Sequence, residues 1–299
     1  PDVIHTNNLF YISNIVWKLA HKKNIKVVHT LRDYWGICPK CTLLNRNCKI
    51  CNKDNIFCKL HKINYKSNSS YVNLVTAPSK FTLDLYNENN LYDNVPNKLV
   101  YNAIDVDLDE HKKLVEEKLK RRNLNIKFVF LGSLELHKGV KFLIDTFIKI
   151  KNNNIELIIC GDGSLKEYVK EACNKDNRIT YKGKVDKKEK LYILKESDVM
   201  IVPSIWYEPF GRVVIEGYKY AMPVIACEIG GIKELLNDEV SIGIKANSKK
   251  DLEVAINKLS NRNEIDNYLS NTIKFIKKYD LKEQISSFDN IYKKIVKKN

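Results

Sequence analysis

The sequence predicts an α/β protein built on doubly wound parallel sheets, because short apolar strands alternate with helical stretches along its 299 residues. The clearest strand is residues 199–203, Val-Met-Ile-Val-Pro, whose unbroken apolar character is typical of a parallel strand buried on both faces. The length suits two ordinary domains, and no apolar run approaches the roughly 18 residues that a membrane span needs. We therefore expect two folded domains whose ligands bind at the carboxyl ends of the strands.

The first domain is predicted to cover residues 1–105. Strands are expected at residues 25–30 and 74–77, and Val100 closes the domain. The chain opens at Pro1, already inside a strand pattern, and has no initiating Met. We therefore expect this domain to be incomplete at its N-terminus.

A second domain is predicted for residues 106–270, and a C-terminal helical segment for residues 271–299. The charged stretch after Asp105 shows no strand pattern, so we expect it to hold the hinge and an entry helix. Each predicted strand beyond it is followed by a helical stretch, as in a doubly wound sheet. These strands are residues 127–132, 155–160, 179–181, 199–202 and 224–226.

Residues 208–216, Glu-Pro-Phe-Gly-Arg-Val-Val-Ile-Glu, place two carboxylates eight positions apart around the predicted start of a helix. Pro209 suits the first turn of that helix, where a missing N–H costs nothing, and Gly211 allows a ligand to approach the backbone. The unpaired amides of Phe210, Gly211 and Arg212 would then form an anion site.

The two acids of this segment complement its anion site. Glu208 is expected at the mouth of the site, and Glu216 about two turns into the helix. Amides suit a phosphate group, and carboxylates suit hydroxyl groups. The sequence therefore predicts a site for a sugar nucleotide.

The spacing Glu208-x7-Glu216, with Pro-Phe-Gly inside it, resembles the donor-site motif of retaining glycosyltransferases of the GT-B fold. That family includes bacterial mannosyl- and glucosyltransferases of cell-surface glycan synthesis. Further segments resemble those of the family in the same order, so the likeness covers nearly the whole chain. They are residues 30–35, 77–79, 101–105, 132–139, 160–163, 183–199 and 226–234.

The resemblance implies two Rossmann-like domains that face a cleft, with the first domain incomplete and on the acceptor side. It implies a hexosyltransferase-type enzyme that moves a sugar from a UDP- or GDP-sugar to a glycan or lipid-linked acceptor, with retention of anomeric configuration. Two alternatives stay open: a phosphorylase or epimerase of the same fold, and an inactive protein that binds nucleotide sugars. Catalysis would need no metal, since a lysine and helix amides supply the positive charge.

The resemblance also implies roles for individual residues. Glu216 would bind the ribose hydroxyls, and the backbone near Val185 would contact the base. Glu208 would hold the sugar at the reaction centre, and Lys138 would stabilise the departing diphosphate. The remaining donor-binding candidates are Gly132, Ser133, Phe210, Gly211 and Arg212.

This sequence departs from the family pattern at two places. Ser133 stands where the family commonly has Arg, which removes one expected phosphate contact. Arg32, followed by Asp33, stands where relatives usually have His. A guanidinium cannot act as a base, but it can donate hydrogen bonds to a sugar or a phosphate. Arg32 and Asp33 are therefore candidate cleft residues, with a surface ion pair between them as the alternative.

A cysteine-rich insertion is predicted at residues 38–61, with the spacing C-x2-C-x6-C-x2-C-x6-C-x2-H. Paired C-x2-C units suit tetrahedral zinc, and disulfides are disfavoured in a chain that shows no export signal. A structural zinc and reduced, unliganded thiols are the two alternatives. The expected ligands are Cys38, Cys48, Cys51 and Cys58, with Cys41 and His61 as substitutes.

The formal net charge of +15 comes from 51 Lys+Arg against 36 Asp+Glu, and most of the cations are lysines. A surface that reads nucleic acid usually draws on arginine and on interleaved aromatic residues, so no nucleic-acid partner is expected. Plain compositional bias and a surface that attracts anionic lipid headgroups both remain open. We expect a cytoplasmic protein, with or without peripheral contact at the inner face of the membrane.

Overall fold

The computed structural model describes residues 1–51, 54–121 and 125–297, which divide into two compact units. The first unit contains Pro1–Ala103, Trp206–Phe210 and the residues from Leu281 onward. The second contains Ile104–Ile205 and Gly211–Asp280. The chain therefore returns to the first unit twice, once for a short segment in the middle of the second unit and once at its C-terminal end.

The strands are β1 (Val3–Thr6), β2 (Lys26–Thr30), β3 (Leu74–Ala77), β4 (Asn97–Leu99), β5 (Ile126–Leu131), β6 (Ile155–Cys160), β7 (Ile179–Gly183), β8 (Val199–Val202), β9 (Val224–Cys227) and β10 (Ser241–Ile244). The helices are α1 (Ile15–Lys22), α2 (Ile56–Ser69), α3 (Lys80–Glu88), α4 (Leu108–Leu119), α5 (Val140–Phe147), α6 (Lys166–Lys175), α7 (Lys187–Glu196), α8 (Arg212–Lys219), α9 (Lys249–Lys258), α10 (Arg262–Leu269), α11 (Thr272–Lys277) and α12 (Leu281–Val296). Within the described ranges, none of these helices is both long and apolar enough to cross a bilayer.

The first unit is built on a parallel sheet in the order β1-β2-β3-β4. Because successive side chains of a strand point to opposite faces, neighbouring valines of β2 join different clusters. Val27 packs in a core that includes the buried Trp17, whereas Val28 packs with Ile291 and Ile295 of α12. The last helix therefore covers one face of this sheet.

The second unit is built on a parallel sheet in the order β10-β9-β8-β5-β6-β7. The strands run outward in sequence order from the neighbours β5 and β8, so the direction of winding reverses there. Such a reversal leaves a crevice at the carboxyl ends of the strands. All four residues of β8 are buried, as their apolar run predicts. The two parallel sheets confirm the predicted α/β class.

Candidate functional site

A cavity of about 540 Å³ lies in the second unit, where β5, β6 and β7 end and α8 begins. Its lining is Leu131, Gly132, Ser133, Cys160, Gly161, Asp162, Lys184, Val185, Lys190, Arg212, Val213 and Glu216. The structure thus brings together five of the residues predicted for the donor site. These are Gly132, Ser133, Val185, Arg212 and Glu216.

One wall of the cavity depends on a close approach between two strand ends. Gly132 N donates to Cys160 O at 3.1 Å, and Gly161 N donates to Gly183 O at 2.8 Å. Gly161 has φ +149°, and a Cβ on it would lie 1.8 Å from Gly132 O. Only glycine fits there, because both the backbone conformation and the space exclude a side chain. This residue therefore has a structural role in shaping the wall.

The helix that carries the second acid begins later than predicted. α8 starts at Arg212, with Gly211 as its N-cap at φ +96°, so the expectation that Pro209 lies in the first turn is wrong. A Cβ on Gly211 would lie 2.6 Å from Ile232 Cγ1, so the left-handed cap also needs a residue without a side chain.

The late start of α8 changes which amides can bind an anion. The first backbone N–H groups of a helix have no partner within it. In α8 these belong to Arg212 and Val213, and both residues line the cavity. Phe210, which was expected to supply an amide, instead belongs to the first unit and is buried.

Glu216 is the fifth residue of α8, so it lies about one turn into the helix rather than two. Its carboxylate oxygens accept hydrogen bonds from Lys190 Nζ of α7 at 3.0 and 2.9 Å. The side chain of Glu216 is 16% exposed and that of Lys190 is 34% exposed. The pair therefore forms part of the cavity wall and is partly shielded from water.

Lys190 is a residue that sequence reasoning missed. The signal for it was present: Asp186 follows the carboxyl end of β7 and caps α7 by accepting from Glu189 N at 2.8 Å. A lysine in the first turn of a helix that starts at this edge of the sheet is placed to reach a ligand there. Its residue type alone does not single it out, because the chain contains many other lysines.

Lys138 lies in a short 3-10 turn, Leu136–Lys138, between β5 and α5. The turn ends at Gly139, whose φ is +76°, and a Cβ there would lie 1.9 Å from Pro203 O. Lys138 is half-buried in this turn. The lining of the cavity given above does not include Lys138.

Glu208 belongs to the first unit, in the segment Trp206–Phe210. The segment is fastened to the start of α3, since Pro209 O accepts from Ser79 Oγ at 2.6 Å and from Thr82 Oγ1 at 3.1 Å. Glu208 itself is half-exposed.

Arg32 and Asp33 each bond to other residues of the first unit. Arg32 donates to Asn7 Oδ1 at 3.0 Å and also to the side-chain oxygen of Asn102. Asp33 accepts from Asn8 Nδ2 at 2.7 Å and from Trp35 N at 2.8 Å. Burial raises the pKa of the Asp33 carboxyl above its ordinary value. Both side chains are thus held in place within the first unit.

Part of the cysteine-rich insertion forms a small hairpin in the first unit, and Cys58 and His61 lie on α2. Leu44 and Ile50 form an antiparallel bridge, and Cys51 N donates to Leu43 O at 2.8 Å. All cysteines of the described ranges are free thiols. Among those same residues, no three His, Cys, Asp or Glu side chains are grouped closely enough to hold a metal ion.

Comparison with known proteins identifies what this arrangement is similar to. The family model described as "Glycosyl transferases group 1" matches residues 112–278, more than half of the chain. An uncharacterised 42.6 kDa protein in the cps region of Klebsiella pneumoniae is 27% identical over 79% of this chain and 59% of its own length. O-antigen chain mannosyltransferase C of Escherichia coli is 26% identical over 55% of this chain and 46% of its own.

A solved structure shows the same fold. Anabaena HepE in complex with UDP superposes with a TM-score of 0.76 at 17% identity, over 98% of this chain and 79% of that one. The likeness extends the α/β assignment to the GT-B type of fold. The chain spans only about half to three fifths of the two curated relatives named above.

Proposed function

The chain belongs to the glycosyl transferases group 1, and we propose that it transfers a hexose from a nucleotide sugar to a glycan or lipid-linked acceptor with retention of anomeric configuration. The observation that carries the proposal is the cavity in which Glu216 and the first amides of α8 meet the ends of β5, β6 and β7. Helix amides suit a diphosphate, and a carboxylate suits neighbouring ribose hydroxyls. We propose a role in the synthesis of a cell-surface polysaccharide or glycolipid, which agrees with the cps region and the O-antigen in the names of the two relatives.

Within the second unit, each lining group has a proposed partner on the donor. Glu216 accepts hydrogen bonds from the ribose hydroxyls, and the backbone near Val185 contacts the base. The diphosphate lies against Gly132, Ser133 and the amide and guanidinium of Arg212. Because Ser133 has no positive charge, Arg212 supplies the cationic side chain at this end of the cavity.

The sugar and the reaction involve the other candidates. Glu208 holds the sugar together with the Gly211 amide, and Lys138 stabilises the departing diphosphate. An acceptor hydroxyl oxygen bonds to the anomeric carbon on the face from which the nucleoside diphosphate leaves. The bond from that carbon to the diphosphate oxygen breaks, and this oxygen takes the hydroxyl proton. Lysine and helix amides stabilise the charge that develops, so the step requires no metal.

We assign acceptor binding to residues 1–105, including Arg32 and Asp33, and donor binding to residues 106–270, with residues 271–299 as a C-terminal helical segment. The UDP bound by HepE supports a UDP-sugar donor, and a GDP-sugar is the alternative. We place the protein in the cytoplasm, with peripheral contact at the inner face of the membrane.

We also propose that the cysteine-rich hairpin can take up a structural zinc. The hairpin bridged by Leu44 and Ile50 lies between Cys41 and Cys51 and so joins the two C-x2-C pairs of the sequence. The proposed ligands remain Cys38, Cys48, Cys51 and Cys58, with Cys41 and His61 as substitutes. His61 Nε2 donates to Trp35 O at 2.5 Å, which leaves Nδ1 as its lone-pair nitrogen. Zinc would draw the thiols closer together than they stand. Metal analysis of protein purified under reducing conditions should give about one zinc per chain, and a much lower content would contradict this.

The donor site is tested by calorimetry with UDP and GDP and by transfer from labelled UDP- and GDP-sugars. Glu216→Ala should weaken binding of the free nucleoside diphosphate about ten- to a hundredfold, since a hydrogen bond to a charged group is worth about 1.5–3 kcal/mol. Glu171→Ala is the matched control, because Glu171 also pairs with a lysine, Lys175, but on the exposed surface of α6.

The outcomes separate the alternatives. Release of free sugar phosphate in place of transfer would indicate a phosphorylase, and donor binding without turnover would indicate an inactive binding protein. Unchanged nucleotide affinity in folded Glu216→Ala protein would exclude this cavity as the donor site.

A further inference from the structure

Helix α2 carries an apolar stripe on its outer face. Its inner face holds the buried Tyr65 and Ser69. The outer face holds four large apolar side chains at the helical spacing i, i+1, i+4 and i+7. Their exposed fractions are 62% for Ile56, 73% for Phe57, 57% for Leu60 and 67% for Ile63. Contiguous exposed apolar side chains of this kind mark an interaction surface.

The sequence around this stripe is strongly basic. Residues 40–66 contain seven lysines and arginines and one acid, Asp54. At 100° per residue, Lys59 and Lys66 lie seven positions apart on the same flank of the stripe. Lys59 is exposed, and Lys66 is about half-exposed where it pairs with Asp93 at 2.7 Å. One flank of the apolar face therefore carries positive charge, at Lys59 and in part at Lys66.

We propose that the outer face of α2 lies in the surface of an anionic lipid bilayer, with its apolar side chains below the headgroups and its lysines at the headgroup phosphates. A basic amphipathic helix with one apolar face binds membranes in this way, through buried apolar area together with attraction to anionic lipid. The helix has 14 residues and is about 21 Å long, which suits a position in the plane of the surface. This inference rests on the membrane contact proposed above and specifies the surface that makes it.

Charge argues against a second copy of the chain as the occupant. In a two-fold dimer the same patch meets itself. Lys59 and Lys66 of one copy would then approach the same basic segment of the other, and like charges disfavour that contact. An anionic lipid surface satisfies both the apolar stripe and the lysines.

The test is co-sedimentation of the full chain with vesicles of phosphatidylcholine alone and of phosphatidylcholine mixed with phosphatidylglycerol, without nucleotide or acceptor. The protein should bind the anionic vesicles, and added salt should weaken the binding. The double variant Phe57→Ser with Leu60→Ser should have a partition coefficient for the anionic vesicles at least about tenfold lower, because two large apolar side chains are removed. Lys59→Glu should reduce binding to the anionic vesicles by about fivefold or more.

A matched double variant is available in the second unit. Tyr192 and Val254 are 69% and 60% exposed, so Tyr192→Ser with Val254→Ser removes similar apolar surface away from α2. Its partition should match that of the unmodified protein. Thermal unfolding of both double variants should also match, since all four side chains are exposed.

Three results would overturn the inference. If the unmodified protein does not sediment with anionic vesicles, the membrane contact itself is wrong, while donor binding and transfer are untouched. If it binds but the α2 double variant binds equally well, the contact lies elsewhere. If sedimentation velocity shows a dimer that the α2 double variant dissociates, with vesicle binding unchanged, the stripe is an interface between copies.

Discussion

Lys190 Nζ on α7 donates to both carboxylate oxygens of Glu216 on α8, at 3.0 and 2.9 Å. A carboxylate has about four lone-pair positions, so Glu216 can still accept from ribose hydroxyls while it is paired. The bond restricts the rotamers of Glu216, which lines the cavity together with Lys190. Lys190 is thus a positioning residue for the proposed ribose contact.

The first prediction concerns this pair. Lys190→Ala should weaken UDP binding about three- to tenfold, because Glu216 loses its fixed orientation. Lys190→Arg should restore most of the affinity. In calorimetric titrations, the effects of Lys190→Ala and Glu216→Ala should be non-additive, since both changes remove the same pair. Tighter binding by Lys190→Ala would instead show that the lysine competes with the ribose.

The second prediction separates the two acids of the donor motif. Glu208→Ala should leave UDP affinity within a few-fold, because Glu208 is proposed to hold the sugar and not the nucleotide. It should lower turnover of the intact donor by roughly a hundredfold or more, as expected when a group at the reaction centre is lost. Transfer assays alongside calorimetry check both statements. Normal transfer by folded Glu208→Ala protein would remove this acid from the mechanism.

The third prediction uses two glycines of the same region. Gly161→Ala should lower the free energy of unfolding of the second unit by at least about 2 kcal/mol, since the Cβ would lie 1.8 Å from Gly132 O. Gly183 has φ +69°, but a Cβ there meets nothing within 4 Å. Gly183→Ala should therefore cost only about 1 kcal/mol, from backbone strain alone. Scanning calorimetry of both variants measures the difference, and equal losses would contradict the steric argument.

The fourth prediction is an acid sensitivity of the first unit. Burial lowers the pKa of His29 to about 3, and burial followed by the Arg32 charge lowers that of His5 to about 4. Unfolded histidine titrates near 6.5, so below that pH the unfolded chain binds more protons and stability falls. Protonation of His29 in the unfolded chain should by itself lower the free energy of unfolding by about 2 kcal/mol between pH 7 and pH 5.

Tryptophan fluorescence can follow this transition. All three tryptophans, Trp17, Trp35 and Trp206, lie in the first unit. Urea unfolding at pH 7, 6 and 5 should show a shallower pH dependence for His29→Gln. His21→Gln, at an exposed position of α1, should keep the full dependence. The prediction fails if His29→Gln retains the slope of the unmodified protein.

The strands were predictable because buried parallel strands leave unbroken apolar runs, as β8 shows. The start of α8 was not predictable. Sequence patterns favour proline in the first turn of a helix, whereas the left-handed cap at Gly211 packs against Ile232, twenty-one residues away. The lining of the cavity followed from motifs at strand ends. The ion pair of Lys190 with Glu216 could not be predicted, since it depends on how α7 and α8 pack together, which no sequence pattern indicates.

The return of α12 to the first unit has a consequence for biosynthesis. One face of the first sheet is covered by Ile291 and Ile295, which follow the second unit in the chain. During synthesis, Val28 and Val100 therefore stay without their packing partners on α12 until the whole of the second unit has been translated. The second unit can complete its own sheet earlier, because its last strand ends at Ile244. The order of folding on the ribosome should thus run opposite to the order of the two units in the chain.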